Sequence, residues 1–227
     1  MKSFREIHGR AVAEKGGEEA LRELLPQTKS AEELRATADD RYLAEMTKGV
    51  FRAGFVWRVV ENKWDGFEAA FGAFDVTSCA MLSDEDLERL AEDERIIRNT
   101  KKIQSVRNNA NFIREIREEH GTFGAFLAGW PDDDIVGLWD VLKKRGDRLG
   151  GNTGPMFLRF VGKDTFVLSD DVVKVLIEAG IVEKKPSSKK ALQATQEAFN
   201  QWHDETGLPR CQISRILAAS VGEPAHV

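Results

Sequence analysis

The chain has 227 residues, of which 41% are hydrophobic, 31% charged and only 6 proline, a balance that excludes an intrinsically disordered chain and allows a sizeable core. No run of about 18 apolar residues occurs, which excludes a membrane-spanning helix. The formal net charge of −5 does not favour nucleic acid, yet it averages over the whole surface and leaves room for a local basic patch.

The segment from Met1 to Glu6 turns charged at once and holds no apolar signal core, so the expected compartment is the cytoplasm. The two cysteines, Cys79 and Cys211, lie far apart without CxxC spacing, which argues against a disulfide framework or a zinc ribbon. The four histidines, His8, His120, His203 and His226, show no mutual spacing for a metal site or a catalytic triad and read as surface residues.

Helical periodicity runs through nearly every segment. Gly16-Gly17 punctuates the first stretch, Ser30-Ala-Glu-Glu33 has capping-box spacing, and Ser83-Asp-Glu-Asp86 places acids in a first helical turn. Ile103, Val106, Ala110 and Ile113 form one apolar stripe, and Ile135, Leu138, Trp139 and Leu142 form another at i, i+3, i+4 and i+7. Val172, Val175, Leu176 and Ala179 repeat the pattern, followed by Leu192, Thr195, Phe199 and Trp202, and by Ile213, Ile216, Leu217 and Ser220. No stretch alternates as a strand would, so an all-α fold is expected. The run Lys184-Lys-Pro-Ser-Ser-Lys-Lys190 reads as a linker. It divides residues 1–183, expected to form two lobes sharing a cleft, from 184–227, expected as a C-terminal helical pair docking on the N-terminal lobe.

The stretch from Leu142 to Leu176 carries the chemistry. An apolar helix ends in Lys143-Lys144-Arg145-Gly146, and a glycine-rich turn, Leu149-Gly150-Gly151-Asn152-Thr153, opens the next. Two helices joined in this way can aim successive backbone N–H groups at a phosphate, with Lys144 and Arg148 adding charge. An ordinary helix–helix turn has the same composition. Ser169-Asp170-Asp171 then opens a further helix, where acids complement the helix dipole whether or not they have another task. Arg98 to Lys102, Lys143 to Arg148 and Lys184 to Lys190 are the basic runs, and each also fits a solvated helix end.

The hairpin, the helix after it and the loop bearing an aspartate resemble the helix-hairpin-helix DNA glycosylase superfamily. The segments Leu43-Ala-Glu-Met46, Ala53-Gly54-Phe55-Val56-Trp57, Phe71-Gly-Ala-Phe74-Asp75, Leu87-Glu-Arg-Leu90, Ile96 to Gln104 and Leu142 to Gly146 are similar to the 3-methyladenine DNA glycosylase I family. This resemblance covers roughly residues 39–175. It implies a two-lobed helical glycosylase that binds double-stranded DNA containing alkylated bases and hydrolyses the N-glycosidic bond of alkylated purines, expected as a monomer. It implies that Gly150, Gly151, Asn152 and Thr153, with Lys144 and Arg148, grip a DNA phosphate. Asp170, with Asp171 as the fallback, would serve the excision centre. Trp57 falls on the aromatic that stacks against the extruded base, with Phe51 and Tyr42 as further base-binding candidates beside Trp139. Gly54 and Phe55 fall on the loop that fills the gap in the duplex.

Three departures qualify the expectation. Bifunctional superfamily members carry a lysine nucleophile in or just after the hairpin, and Gly150 to Pro155 contains none, which implies a monofunctional hydrolase. The family's zinc site uses terminal cysteines and histidines, and this chain offers only His203 and Cys211, so no metal and no cofactor are expected. The family's base-recognising glutamate aligns with Gly49, with Glu45 one helical turn earlier. Two other readings stay open, a DNA-binding relative without glycosylase activity and a helical adaptor.

Overall fold

The computed structural model describes residues 3–222; His226 lies outside the described residues. Among the described residues there are helices and turns and no strand. The fold is all-α. None of the described helices is long and apolar enough to cross a membrane.

In chain order the helices are α1 (Phe4–Lys15), α2 (Glu18–Glu23), α3 (Ala31–Ala36), α4 (Asp39–Arg52) and α5 (Trp57–Asn62). Next come α6 (Trp64–Ala70), a 3-10 turn (Gly72–Phe74), α7 (Val76–Ala80), α8 (Asp84–Glu92), α9 (Thr100–His120) and α10 (Phe123–Gly129). The chain continues with α11 (Ile135–Arg145), α12 (Thr153–Val161), α13 (Asp170–Glu178), α14 (Lys189–Thr206) and α15 (Arg210–Ala219). The expected capping box forms between Ser30 and Glu33, and Ser83 forms a second one with Asp86, each satisfying backbone N–H groups that a helix start leaves open.

The chain divides into two compact units. The larger comprises Lys29–Trp130 and Gly137–Lys163. Its spine is α9, against which α4, α7, α8 and α10 pack. The expected stripe Ile103, Val106, Ala110 and Ile113 is fully buried. Tyr42, Phe112, Phe123, Phe126 and Phe157 meet as tilted or edge-on rings 5.3–6.3 Å apart, a geometry that suits aromatic quadrupoles. A second aromatic group stacks Trp64, Phe67, Phe71 and Phe74, with Phe51 edge-on to Phe67 at 4.6 Å. Gly124 lets α10 approach α3 closely: a Cβ there would stand 2.3 Å from the Leu34 carbonyl oxygen.

The other unit comprises the segment up to Thr28, Pro131–Val136 and the segment from Asp164 onward. Within it α15 packs against α1, α13 and α14. Phe166 and Phe199 stack at 4.2 Å, and Trp202 closes the group against Phe4 and Phe199. The Asp164 carboxylate accepts the backbone N–H groups of Arg210 and Cys211 at 3.0 and 2.8 Å, capping the N-terminus of α15.

Candidate active site

The candidate site of the larger unit is built around the C-terminal end of α4. Residue Gly54 has φ +75, a left-handed conformation that costs a glycine little, and it turns the chain so that the Phe55 N–H bonds to the Arg52 carbonyl. Beyond the turn lie Phe55, Val56, Trp57 and Val59, exposed by 43%, 70%, 46% and 42%. A neighbouring contribution comes from α12, whose Phe160 is 42% exposed and meets Trp57 edge-on at 5.8 Å. Contiguous exposed aromatic and aliphatic side chains of this kind mark a binding surface.

Two cations hold this surface. The Arg52 guanidinium lies 5.0 Å from the Trp57 ring and 4.6 Å from the Phe160 ring, gripped from behind by the Glu61 carboxylate through Nε at 3.0 Å and through Nη2. Lys102, only 8% exposed, donates through Nζ to the carbonyls of Phe51 at 3.2 Å and Ala53 at 2.7 Å, and stands 4.6 Å over the Phe55 ring. Its first two bonds satisfy carbonyls that the end of α4 leaves open. Burial pulls the Lys102 ammonium below its ordinary range, and the nearby charge of Arg148 adds to this.

The hairpin joins α11 to α12 through residues 146–152. Asn109 on α9 fixes its entry, accepting the Asp147 N–H at 2.7 Å and donating to the Asp147 carbonyl at 3.1 Å, while Asn108 donates to the Asp147 carboxylate at 2.7 Å. Arg148 (φ 61) and Gly151 (φ 60) both adopt the left-handed conformation. Close packing completes the turn, since a Cβ on Gly154 would stand 2.5 Å from the Leu149 carbonyl oxygen. Gly150, Gly151, Asn152 and Thr153 thus form an accessible turn that leads into the N-terminus of α12. Arg148 is exposed, and Lys144 is exposed with an i,i+4 ion pair to Asp140 at 2.6 Å. Arg145, from the same basic run, is committed to Glu115 and Glu119.

Two base-binding expectations meet a different environment. Tyr42 and Phe51 are fully buried, so neither presents a ring face to a ligand. Both sit on the inward stripe of α4; Tyr42 donates to the Leu34 carbonyl at 2.7 Å, and burial pushes its phenol up to about 12. Trp139 is half-buried on α11. Trp57, Gly54 and Phe55 do come together at the exposed end of α4.

Asp170 belongs to the other unit, as the first residue of α13. Ser169 is the N-cap, its hydroxyl accepting the Val172 N–H at 3.3 Å. The Asp170 side chain is 95% exposed and pairs with Lys185 Nζ at 3.1 Å, and Asp171 is exposed beside it. Among the described residues no group of three or more His, Cys, Asp and Glu side chains comes together as a metal site. His203 instead bonds the Leu208 carbonyl at 2.8 Å through Nδ1, and Cys211 is buried. Among the described residues the donor set does not fit the zinc site of the resembled family.

Arg52, Glu61 and Phe160 escaped the sequence reading, and Lys102 entered it only as part of a basic run. One signal was present: on α12 the buried residues are Gly154, Pro155, Phe157, Leu158 and Val161, and Phe160 falls off that stripe. An aromatic residue facing outward from an amphipathic helix asks for a partner.

Residues 34–144 match the family model described as methyladenine glycosylase. DNA-3-methyladenine glycosylase 1 of Escherichia coli (strain K12) is 34% identical over 76 residues, 34% of this chain and 41% of that protein, so the match spans less than half of the relative's length. Among solved structures, 3-methyladenine DNA glycosylase I from Staphylococcus aureus superposes with a TM-score of 0.52 at 22% identity, over 67% of this chain and 91% of that one. The 8-oxoguanine DNA glycosylase of Thermotoga maritima superposes with a TM-score of 0.53 at 17% identity, over 95% of both chains. Residues 34–144, which carry α4, the Gly54 turn and Trp57, share the pattern of the methyladenine glycosylase family, and the chain has the fold of the helical DNA glycosylases.

Proposed function

We propose that the protein is a monofunctional DNA glycosylase, a monomer that hydrolyses the N-glycosidic bond of alkylated purines such as 3-methyladenine in double-stranded DNA. The observation that carries this reading is the cluster Phe55, Trp57 and Phe160, exposed and flanked by Arg52 and Lys102, two of whose rings lie in the segment shared with the methyladenine glycosylases.

Excision requires the target nucleotide to leave the stack, at a cost of about a few kcal/mol. Stacking on an aromatic ring offsets this by about 1–3 kcal/mol per base. Trp57 supplies that ring, and Phe55 at the tip of the Gly54 turn enters the gap left in the duplex. Alkylation at a ring nitrogen makes the purine cationic and already a good leaving group, so no strong general acid is needed. A carboxylate that stabilises the developing sugar cation and orients water suffices. We assign that role to Asp170. The amides of Gly150 to Thr153, with Lys144 and Arg148, hold a backbone phosphate.

The test is to incubate the protein with methylated duplex DNA and identify released bases by mass spectrometry. Free methylated purine supports the reading, and intact DNA refutes it. The absence of a side chain at Gly49 and the exposure of Asp170 favour a second reading, a DNA-binding relative without excision. Salt-dependent duplex binding without base release is its signature.

A further inference from the structure

Trp57 opens α5, a helix with little of its own to fix its direction. Its 6 residues bury only Val60, and the N-cap Val56 makes no side-chain hydrogen bond to the first turn. So short a helix takes its orientation from contacts with its neighbours. Trp57 and Glu61 stand at i and i+4 and share one face of α5, as Lys48 and Arg52 share one face of α4.

Glu61 joins the two faces. Its Oε1 accepts from Arg52 through Nε at 3.0 Å and through Nη2, while its Oε2 pairs with Lys48 Nζ at 3.1 Å. The guanidinium held in this way reaches two rings, Trp57 at 5.0 Å and Phe160 on α12 at 4.6 Å, which themselves meet edge-on at 5.8 Å. For stability alone Arg52 is a poor choice. Its Nη1 is buried and has no hydrogen-bond partner among the described residues, which works against the fold. The Glu61 side chain is 42% exposed, so solvent screens much of the attraction between the two. What the pair does accomplish is to set a charged group of fixed direction against the ring of Trp57.

We propose that Glu61 is a positioning residue for base excision: it fixes the Arg52 guanidinium, and the guanidinium fixes the tilt of the Trp57 ring on which the extruded base stacks. The assignment rests on the glycosylase reading and deepens it. Aromatic stacking depends on the offset and tilt of the two rings, and a base held askew presents its glycosidic bond out of line. Because Phe160 belongs to α12, the same contacts tie the Trp57 ring to the helix that the hairpin opens. The stacking platform and the proposed phosphate grip thus share one frame.

The experiment follows single-turnover release of 3-methyladenine from one methylated duplex by wild type, Glu61→Ala, Glu61→Gln, Trp57→Ala and the double variant of Glu61→Ala with Trp57→Ala. Duplex affinity and Tm are measured beside it. Glu61→Ala is expected to release base about tenfold more slowly at unchanged duplex affinity, as a misplaced platform should. Glu61→Gln keeps a carbonyl oxygen for Arg52 and should recover most of that rate. In the double variant the loss of Glu61 should cost nothing beyond the loss of Trp57, since the ring through which it acts is gone. Release by Glu61→Ala at the wild-type rate overturns the proposal, and so does a Glu61→Gln rate no better than that of Glu61→Ala. An equal loss with and without Trp57 overturns it as well, being the mark of a merely structural residue. If the wild type releases no base at all, the glycosylase reading fails by itself. The hold on Trp57 is then decided by acrylamide quenching of its fluorescence, taken as the difference between each protein and its Trp57→Phe counterpart. Readier quenching of Trp57 in Glu61→Ala than in wild type upholds it, and equal quenching overturns it.

Discussion

The Lys102 ammonium donates to the Ala53 carbonyl at 2.7 Å, tying the first turn of α9 to the residue at which α4 ends. With the bond to Phe51 and the contact over Phe55, one cation sets the path of the chain from 51 to 55. Lys102→Met would leave two carbonyls short of a donor, a loss of about 1–3 kcal/mol. The expected outcome is a folded protein with a lowered Tm and faster amide exchange at residues 53–57. Exchange in this segment matching the wild type would show that the turn holds itself.

Trp57 calls for the opposite balance of effects. Nearly half of it is exposed, so Trp57→Ala is expected to cost less than about 2 kcal/mol of stability. Loss of the stacking surface should slow base release by tenfold or more, while Trp57→Phe keeps most of the rate. A large fall in Tm with unchanged single-turnover release would make Trp57 a structural residue only.

The helical frame was legible because local rules and packing agree. The stripe on α9 is the buried one, Ser30 and Ser83 cap as their spacing requires, and Ser169 opens α13. The site was legible only where residues lie outside a helical period. Phe55 and Val56 follow the end of α4, where no stripe dictates their direction, and they are exposed together with Trp57. Tyr42 and Phe51 lie in the core for a physical reason that the sequence also carried. They share the inward register of Leu43, Met46, Thr47 and Val50, and an aromatic residue on a buried stripe fills the core. Arg52 and Glu61 were out of reach because their pairing depends on the Gly54 turn, which folds α5 back beside α4, and charge patterning along one helix does not encode that.

At the hairpin, Gly151 has φ +60 and open space where a Cβ would point, so the constraint is conformational and not steric. Gly151→Asn tolerates the left-handed region, whereas Gly151→Val does not. Gly151→Asn is expected to fold and bind duplex DNA, and Gly151→Val to lose affinity for damaged and undamaged duplex alike by distorting the turn. Equal affinities in a filter-binding titration of both variants would detach the turn from DNA binding.

Glu45 makes a prediction about stability that needs no substrate. Its folded-state pKa is raised, chiefly by burial, so the unfolded chain gives up this proton at a lower pH than the folded one does. Stability is therefore lost as pH rises from the ordinary carboxylate value toward the raised one, and the loss persists at neutral pH. Glu45→Gln, uncharged at every pH, should raise Tm at pH 7, and the difference should vanish below about pH 4. A Tm difference independent of pH would mean that the carboxylate is not desolvated in solution.

Asp170 separates the two functional readings. Ser169 already caps α13, and asparagine at the first helical position gives up only a favourable charge near the helix N-terminus, about 0.3–1 kcal/mol, so Asp170→Asn should leave the fold unchanged. Its partner Lys185 is also well exposed, and a screened surface pair of this kind contributes little to stability. If the carboxylate stabilises the sugar cation, Asp170→Asn is expected to slow base release by about a hundredfold or more at unchanged duplex affinity, since a charge placed for the transition state is lost. Asp171→Asn is the matched control, an exposed acid one residue further along the same turn. Single-turnover release of methyladenine decides among the outcomes. A loss confined to Asp170→Asn establishes its role, a loss confined to Asp171→Asn moves the role by one residue, and two wild-type rates mean that these acids serve only the dipole of α13.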